Sequence, residues 1–300
     1  WTNSEMNLRW KNSHVGLIAG LCVLFAGVGC GQTQRGETVH QVGPTGYDLA
    51  NPEVFEMNGV LEEISGITLF QGNPDTLFAQ QDEAGKLFFF ALGDKKPQQI
   101  RFGNDGDYED IAISGEDVIV LRSDGSLYRF PIKERHGKRI ESVTTWKKPF
   151  PKGEYESLAA RADDSQLYIL CKACEIDRKQ ASTTGYRFRL AEDGTLSESV
   201  SFSVSHAQIE HYVSLDGKPF QPSSMAWNPH TGEWYVISSI NKMLVVLDEK
   251  WQVTGAYPLD PKRYIQPEGL AFDNNRALYI ASERGKKGKW AAVFKFPFEK

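Results

Sequence analysis

The stretch Pro267-Glu268-Gly269-Leu270-Ala271 has four relatives earlier in the chain, and together these five copies decide the fold. All five copies carry serine or glutamate at the second position and a large apolar residue at the fourth. We call this five-residue pattern the pentad. The other copies are Ile64-Ser65-Gly66-Ile67-Thr68, Tyr108-Glu109-Asp110-Ile111-Ala112, Tyr155-Glu156-Ser157-Leu158-Ala159 and Pro222-Ser223-Ser224-Met225-Ala226.

The spacing of the pentads predicts a repeat fold. Their second residues lie 44, 47, 67 and 45 residues apart. Polar turns and short apolar runs rich in β-branched and aromatic residues follow each copy, which is typical of a four-stranded propeller blade. We therefore predict an all-β, five-bladed β-propeller with four antiparallel strands per blade, spanning residues 53–300.

The long third interval leaves an alternative open. Its excess of about 20 residues is too short for another blade of roughly 40 residues and favours an extended hairpin or loop in the third blade. Six blades is the alternative. The last repeat ends about one strand short, so we expect residues around Tyr47–Met57 to supply an outer strand to the final blade, because ring closure removes exposed sheet edges.

The N-terminal region predicts export. Arg9 and Lys11 precede an apolar run, Val15–Val28, which is shorter than the roughly 20 residues that cross a bilayer as a helix. Small residues then lead to Cys30, as in a bacterial lipobox, although Gly27 stands where leucine is usual. We predict a signal peptide at residues 1–30, acylation of Cys30 and a flexible tether at 31–52. A retained N-terminal anchor or a plain secretory signal are the alternatives.

Composition excludes some functions. The chain has 34 Lys and Arg against 39 Asp and Glu, a formal net charge of −5, and no long basic run, so nucleic-acid binding is not expected. The sequence also lacks the Gly-x-Ser-x-Gly elbow, the phosphate-binding Gly-x-x-x-x-Gly-Lys loop and a dinucleotide fingerprint. The sequence therefore contains none of these motifs that would indicate acyl transfer, phosphoryl transfer or dinucleotide-dependent chemistry.

Three stretches together resemble the SdiA-regulated family of bacterial propellers, which is distantly similar to NHL-repeat proteins. They are Glu63-Ile64-Ser65-Gly66-Ile67, Gly106-Asp107-Tyr108-Glu109-Asp110-Ile111-Ala112 and the pentad at 267–271. The resemblance covers about residues 55–298. It implies a five-bladed propeller, commonly membrane-attached, with calcium bound in the propeller and no established enzymatic activity.

The pentads also predict a site. The first strand of each blade lines the central channel, so matching positions converge there. We expect Ser65, Glu109, Glu156, Ser223 and Glu268 to form this hub. Glu63 and Asp107 lie two residues before hub positions and should face the same side, because strand side chains alternate. A regular strand would turn Asp110 away.

Carboxylates gathered in a narrow channel repel each other and lose hydration, so they need protons, basic partners or a cation. Calcium takes six to eight oxygen ligands in irregular geometry, and it is the predicted cofactor. Under the alternative, the glutamates cap strands or pair with Lys and Arg to join the blades.

Cys171 and Cys174 follow a predicted strand, and in an exported protein they are candidates for a small disulfide. A thioredoxin-like redox motif would need a helical context that is missing here.

Two functions remain open. The first is a non-catalytic, calcium-binding scaffold or binding module on the periplasmic or outer-membrane face. Its loops would hold an unknown protein or envelope ligand, its lipid would hold it to the membrane, and the expected state is a monomer. The second is a calcium-dependent hydrolase resembling propeller lactonases, which needs an open metal position and a free acid or base.

Overall fold

The computed structural model describes residues 43–299 except 58, 162–165, 192, 194 and 287. The predicted signal peptide, Cys30 and most of the predicted tether lie outside these residues. Within the described part of the chain, no helix is long and apolar enough to cross a membrane.

The described strands form five sheets of four antiparallel strands each, and strands of successive sheets follow one another in sequence. This confirms the five-bladed propeller and excludes the six-bladed alternative. Each pentad lies at the start of the innermost strand of its blade. Blade 1 contains β2 (Ile64–Leu69), β3 (Leu77–Gln81), β4 (Lys86–Phe90) and β5 (Gln98–Arg101). Blade 2 contains β6 (Tyr108–Ser114), β7 (Asp117–Arg122), β8 (Leu127–Pro131) and β9 (Thr144–Trp146).

The extra residues of the third interval lengthen blade 3 instead of adding a blade. Its strands have nine or ten residues, and a short helix, α1 (His206–Glu210), follows them. Blade 3 contains β10 (Gly153–Arg161), β11 (Gln166–Cys174), β12 (Ser182–Leu190) and β13 (Leu196–Ser205). Blade 4 contains β14 (Ser224–Asn228), β15 (Glu233–Ser238), β16 (Met243–Leu247) and β17 (Val253–Pro258). Four 3₁₀ helices are described, at Gly59–Leu61, Phe70–Gly72, Ile132–His136 and Glu175–Asp177.

The ring closes as the sequence predicts. Blade 5 contains β18 (Gln266–Phe272), β19 (Leu278–Glu283) and β20 (Ala291–Phe296), and its outermost strand is β1 (Glu53–Met57) from the other end of the chain. Five residue pairs, from Glu53 with Lys295 to Met57 with Ala291, join β1 to β20. The edge of the last blade is thereby covered.

The predicted tether ends earlier than residue 52. Tyr47 and Leu49 are buried in the core between blades 4 and 5, and Tyr47 packs edge-on against Tyr235. The hydroxyl of Tyr264 donates to the carbonyl of Leu49 at 2.8 Å. Because these apolar side chains fill a space inside the core, residues 43–52 belong to the propeller.

The hydrophobic core is divided into five clusters, and each lies between two neighbouring blades. Most large aromatic residues, such as Trp146, Trp234 and Phe130, serve here as packing between blades. The polar second residues of the pentads are left to line the channel.

Candidate metal and binding site at the channel mouth

The innermost strands are irregular at the pentads. In blades 2, 3 and 5 the strand pairing skips the second pentad residue, which is Glu109, Glu156 or Glu268. Blade 1 has the same irregularity between Ile64 and Ile67. A β-bulge interrupts the alternation of side chains, so the second and third pentad residues do not simply point to opposite faces.

The second pentad residues form what we call the inner ring: Ser65, Glu109, Glu156, Ser223 and Glu268. Glu109 and Glu156 are half-buried and interact electrostatically with each other. Burial and the charges of Glu156 and Asp107 raise the pKa of Glu109 to about 9. Burial also raises the pKa of Glu156, although an ion pair with Lys172 opposes that shift.

The other inner-ring residues make different contacts. Burial, followed by the neighbouring carboxyl group of Glu283, raises the pKa of Glu268 well above its usual range. The buried Ser65 hydroxyl donates to Glu283 Oε1 at 3.4 Å. The Ser223 hydroxyl donates to the carbonyl of Pro267 at 2.7 Å and accepts from the backbone N–H of Ser239 at 3.0 Å, so it joins blades 4 and 5.

Glu63 and Asp107 lie at the exposed rim of this mouth, not inside the ring. Asp107 accepts a hydrogen bond from the hydroxyl of Ser123. Burial and the charges of Glu83 and Glu283 raise the pKa of Glu63. Both carboxyl groups are therefore near the inner ring, but they lie at its solvent-exposed edge.

A second ring, which the sequence analysis missed, lies at the same mouth. In every blade, the fourth pentad residue pairs with a residue of the next strand. The side chain three positions after that partner lies at this end of the channel. We call this set the outer ring: Asp82, Ser123, Lys172, Ser239 and Glu283. The two rings together hold five carboxyl groups and one lysine.

Lys172 is the counter-ion of the rings. It is half-buried, forms the ion pair with Glu156, and interacts electrostatically with Glu109 and Glu268. Burial alone would lower the pKa of Lys172, but these carboxylates raise it. Lys242 also lies near Glu268, and its ammonium group donates to the carbonyl of Ile265 at 2.5 Å.

Within the part of the chain that the structure describes, no ion pair balances the charge of Asp82. Burial and the charges of Glu283 and Glu63 raise the pKa of Asp82 to about 7. Its Oδ1 atom, and both amide atoms of the neighbouring Gln80, are buried without a hydrogen-bond partner in the described structure. Unpaired buried polar atoms are costly, so they mark a place where water or an ion is expected.

The third pentad residues line the interior of the channel. Asp110 is 1% exposed, and its carboxylate accepts hydrogen bonds from three blades. Oδ1 accepts from the N–H of Ile111 at 2.8 Å, and Oδ2 accepts from the N–H of Leu158 at 2.8 Å and from the hydroxyl of Ser224 at 3.1 Å. A regular strand would turn Asp110 away from the channel, but the bulge at Glu109 changes the alternation.

The opposite end of the channel is lined mainly by apolar residues. A cavity of about 440 Å³ opens there, and the fourth pentad residues of all five blades line it: Ile67, Ile111, Leu158, Met225 and Leu270. The end with the two rings, rich in carboxyl groups, and this mainly apolar end are therefore chemically distinct.

Cys171 and Cys174 are joined by a disulfide, next to Lys172. Within the described residues, no three His, Cys, Asp or Glu side chains are gathered in the arrangement of a metal site. An ion at this mouth would need hydroxyl, amide or water oxygens beside two carboxylates, which calcium accepts. Glu268, Glu283 and Ser65 are the side chains that could contribute to such a set.

Comparisons with known proteins agree on the architecture. A solved glutaminyl cyclase from Myxococcus xanthus is similar in fold, with a TM-score of 0.53 at 16% identity, over 83% of this chain and 96% of that chain. The PQQ-bound aldose sugar dehydrogenase of Streptomyces coelicolor gives a TM-score of 0.51 at 12% identity, over 83% and 99%. At such identities the likeness concerns the fold alone. A search of curated proteins found no significant match.

One family model matches most of the propeller. It is described as SdiA-regulated, and the match spans residues 47–285, from the buried Tyr47 to the turn after β19. The chain therefore belongs to the SdiA-regulated family of β-propeller proteins.

Proposed function

We propose that this protein is a non-catalytic, calcium-binding module of the cell envelope, anchored through acylated Cys30. In this proposal the carboxylate mouth binds one calcium ion. The ion ties the blades together and presents the surrounding loops to a protein or envelope ligand.

The carrying observation is that Glu268 and Glu283, which lie on the paired strands β18 and β19, bring two carboxyl groups to the same side of the mouth. Neighbouring carboxyl groups that have lost hydration repel each other when both are ionised, so they favour the uptake of a proton or a cation. Ser65 approaches Glu283 at 3.4 Å, and Asp82 adds a nearby carboxylate whose Oδ1 is buried and unpaired. This half of the two rings has hard oxygen atoms in excess.

The other half of the two rings favours the alternative hypothesis, in which the glutamates pair with basic residues instead of binding a cation. Lys172 neutralises Glu156 there, in the manner of a residue that joins strands. Ser223 likewise holds two blades together through backbone groups. We therefore restrict the proposed ion to the side of the mouth formed by blades 1 and 5.

Thermal melting of the full chain tests this proposal. Calcium at 100 times its dissociation constant should raise the free energy of unfolding by about 2.7 kcal/mol, and a chelator should reverse the effect. Magnesium should act more weakly, because it prefers strict octahedral geometry and retains its water. Melting curves that are identical with calcium and with chelator would contradict the proposal.

Hydrolysis assays with a panel of lactones and esters distinguish the two functional classes. A non-catalytic binding module should hydrolyse none of these compounds when calcium is present. Hydrolysis that disappears with chelator and in Glu268→Gln would instead establish the calcium-dependent hydrolase, in which the ion polarises a substrate carbonyl.

A further inference from the structure

Two bulges face each other in blade 3. In β11 the paired residues are Cys171 and Ala173, and Lys172 between them has no partner in β10. Glu156 is left out of the pairing of β10 in the same way. Bulges re-aim side chains, and here the two extra residues meet in an ion pair inside the channel mouth.

The disulfide between Cys171 and Cys174 brackets the bulge that contains Lys172. Both cysteines are buried, and Gly153 faces Cys174 where any larger side chain would overlap the sulfur atom. A cross-link between residues only three positions apart removes little entropy from the unfolded chain, since that effect grows with loop length. Its main consequence is therefore local: it fixes the course of the backbone on both sides of Lys172.

Lys172 carries a positive charge into the mouth, close enough to act on the side where the proposed cation would bind. It interacts with Glu156, Glu109 and Glu268, and Glu268 is a ligand in the proposed calcium site. A fixed ammonium group both neutralises carboxylates and repels a second cation in a partly buried setting, where screening is weak. Its position should therefore set the affinity of the mouth for calcium.

We propose that the Cys171–Cys174 disulfide holds Lys172 in the channel as a built-in counter-ion, and that reduction releases Lys172 and strengthens cation binding at the mouth. In the reduction, a dithiol supplies two electrons and two protons. The S–S bond breaks, two thiols form, and the dithiol becomes a disulfide. The positioning of Lys172 is inferred from the disulfide, the bulge and the ion pair with Glu156. The effect on cation binding rests on the proposed calcium site.

Chemical labelling tests the positioning without calcium. The full chain, in chelator, is treated with an amine-acylating reagent, and modification of Lys172 is compared by mass spectrometry with that of the exposed Lys250. We expect Lys172 to react roughly tenfold faster after treatment with dithiothreitol, and equally fast in Cys171→Ala/Cys174→Ala, because an ion pair in a partly buried site is lost. Equal labelling of Lys172 in the oxidised chain, the reduced chain and the double variant would overturn the proposal.

Calorimetric titration with calcium tests the consequence. Reduced wild type and Lys172→Met should both bind calcium roughly tenfold more tightly than oxidised wild type, and reduction should not change Lys172→Met further. Lys152→Met, which removes an exposed lysine of the same blade, is the matched control and should behave like wild type. Equal affinities in both redox states would overturn the coupling. If no form binds calcium, the proposed function fails, and the labelling experiment alone decides whether the disulfide positions Lys172.

Discussion

Asp110 and Ser224 are 114 residues apart in sequence, and the Ser224 hydroxyl donates to Asp110 Oδ2 at 3.1 Å across the channel. Asp110 belongs to blade 2 and Ser224 to blade 4. Blade 3, which lies between them, also donates a hydrogen bond to Asp110 Oδ2, from the N–H of Leu158. One buried carboxylate thus links three of the five blades.

Replacing Asp110 should destabilise the propeller. Asp110→Ala leaves two backbone N–H groups and one hydroxyl buried without their acceptor, and we expect a loss of about 3 kcal/mol in the free energy of unfolding. Asp110→Asn retains part of the hydrogen bonding and should lose less. Urea denaturation measures both, and a change below about 1 kcal/mol in Asp110→Ala would show that the carboxylate does not hold the blades together.

Gly66 allows blade 1 to approach Asp110. A Cβ atom at this position would lie 2.7 Å from both Asp110 Oδ1 and the backbone nitrogen of Ile111. Gly66→Ala should therefore cost about 2 kcal/mol, because the inner strands must move apart. Gly115→Ala is the control: its φ of +58° causes strain, but its added methyl group has nothing within 4 Å, so its cost should be about 1 kcal/mol.

Stability should depend on pH through the acidic mouth. Folding raises the pKa of Asp82 to about 7 and of Glu109 to about 9, above the values near 4 of unfolded side chains. The folded chain then holds protons that the unfolded chain has released. Its stabilisation is complete below the unfolded pKa and is lost as the pH rises through the folded pKa.

In chelator, the melting temperature should consequently fall between pH 5.5 and 9, and Asp82→Asn should reduce this slope. The surface substitution Asp75→Asn should leave it unchanged. A melting temperature that rises over the same interval would contradict the description of the mouth as a cluster of excess carboxyl groups.

The N-terminal boundary has a direct test. A chain that begins at residue 41 keeps Tyr47, Leu49 and β1, and it should fold as a soluble monomer. A chain that begins at residue 58 loses these core side chains and exposes the edge of β20, so it should aggregate. Size-exclusion chromatography distinguishes the two. Equal behaviour would mean that β1 is dispensable for ring closure.

The sequence predicts the blade count well, because the pentads mark the start of every inner strand. It also predicts the closing strand, since the final repeat is visibly short of one strand. The outer ring could not be recognised from the sequence, because the hairpins that connect the two rings differ in length. From blade 1 (Ser65 to Asp82) to blade 5 (Glu268 to Glu283), the outer-ring residue follows the inner-ring residue by 17, 14, 16, 16 and 15 positions.

The orientation of Asp110 could not be predicted for a different reason. Period-two alternation assumes a regular strand, and a bulge depends on how the neighbouring strand pairs, which a single strand sequence does not reveal. The role of Lys172 depends on the same kind of irregularity in β11. The positions of the inner ring therefore follow from the pentads, whereas their partners in the outer ring do not.

Calcium titration of wild type and Glu268→Gln by calorimetry tests the central claim most directly, with Glu116→Gln, an exposed glutamate, as the control. The proposal predicts one saturable site in wild type and Glu116→Gln, and a loss of at least roughly tenfold in affinity when Glu268 can no longer supply a charged oxygen. Wild type that binds no calcium, or a Glu268→Gln variant that binds it as tightly as wild type, would contradict the claim that the carboxylate mouth is a calcium site.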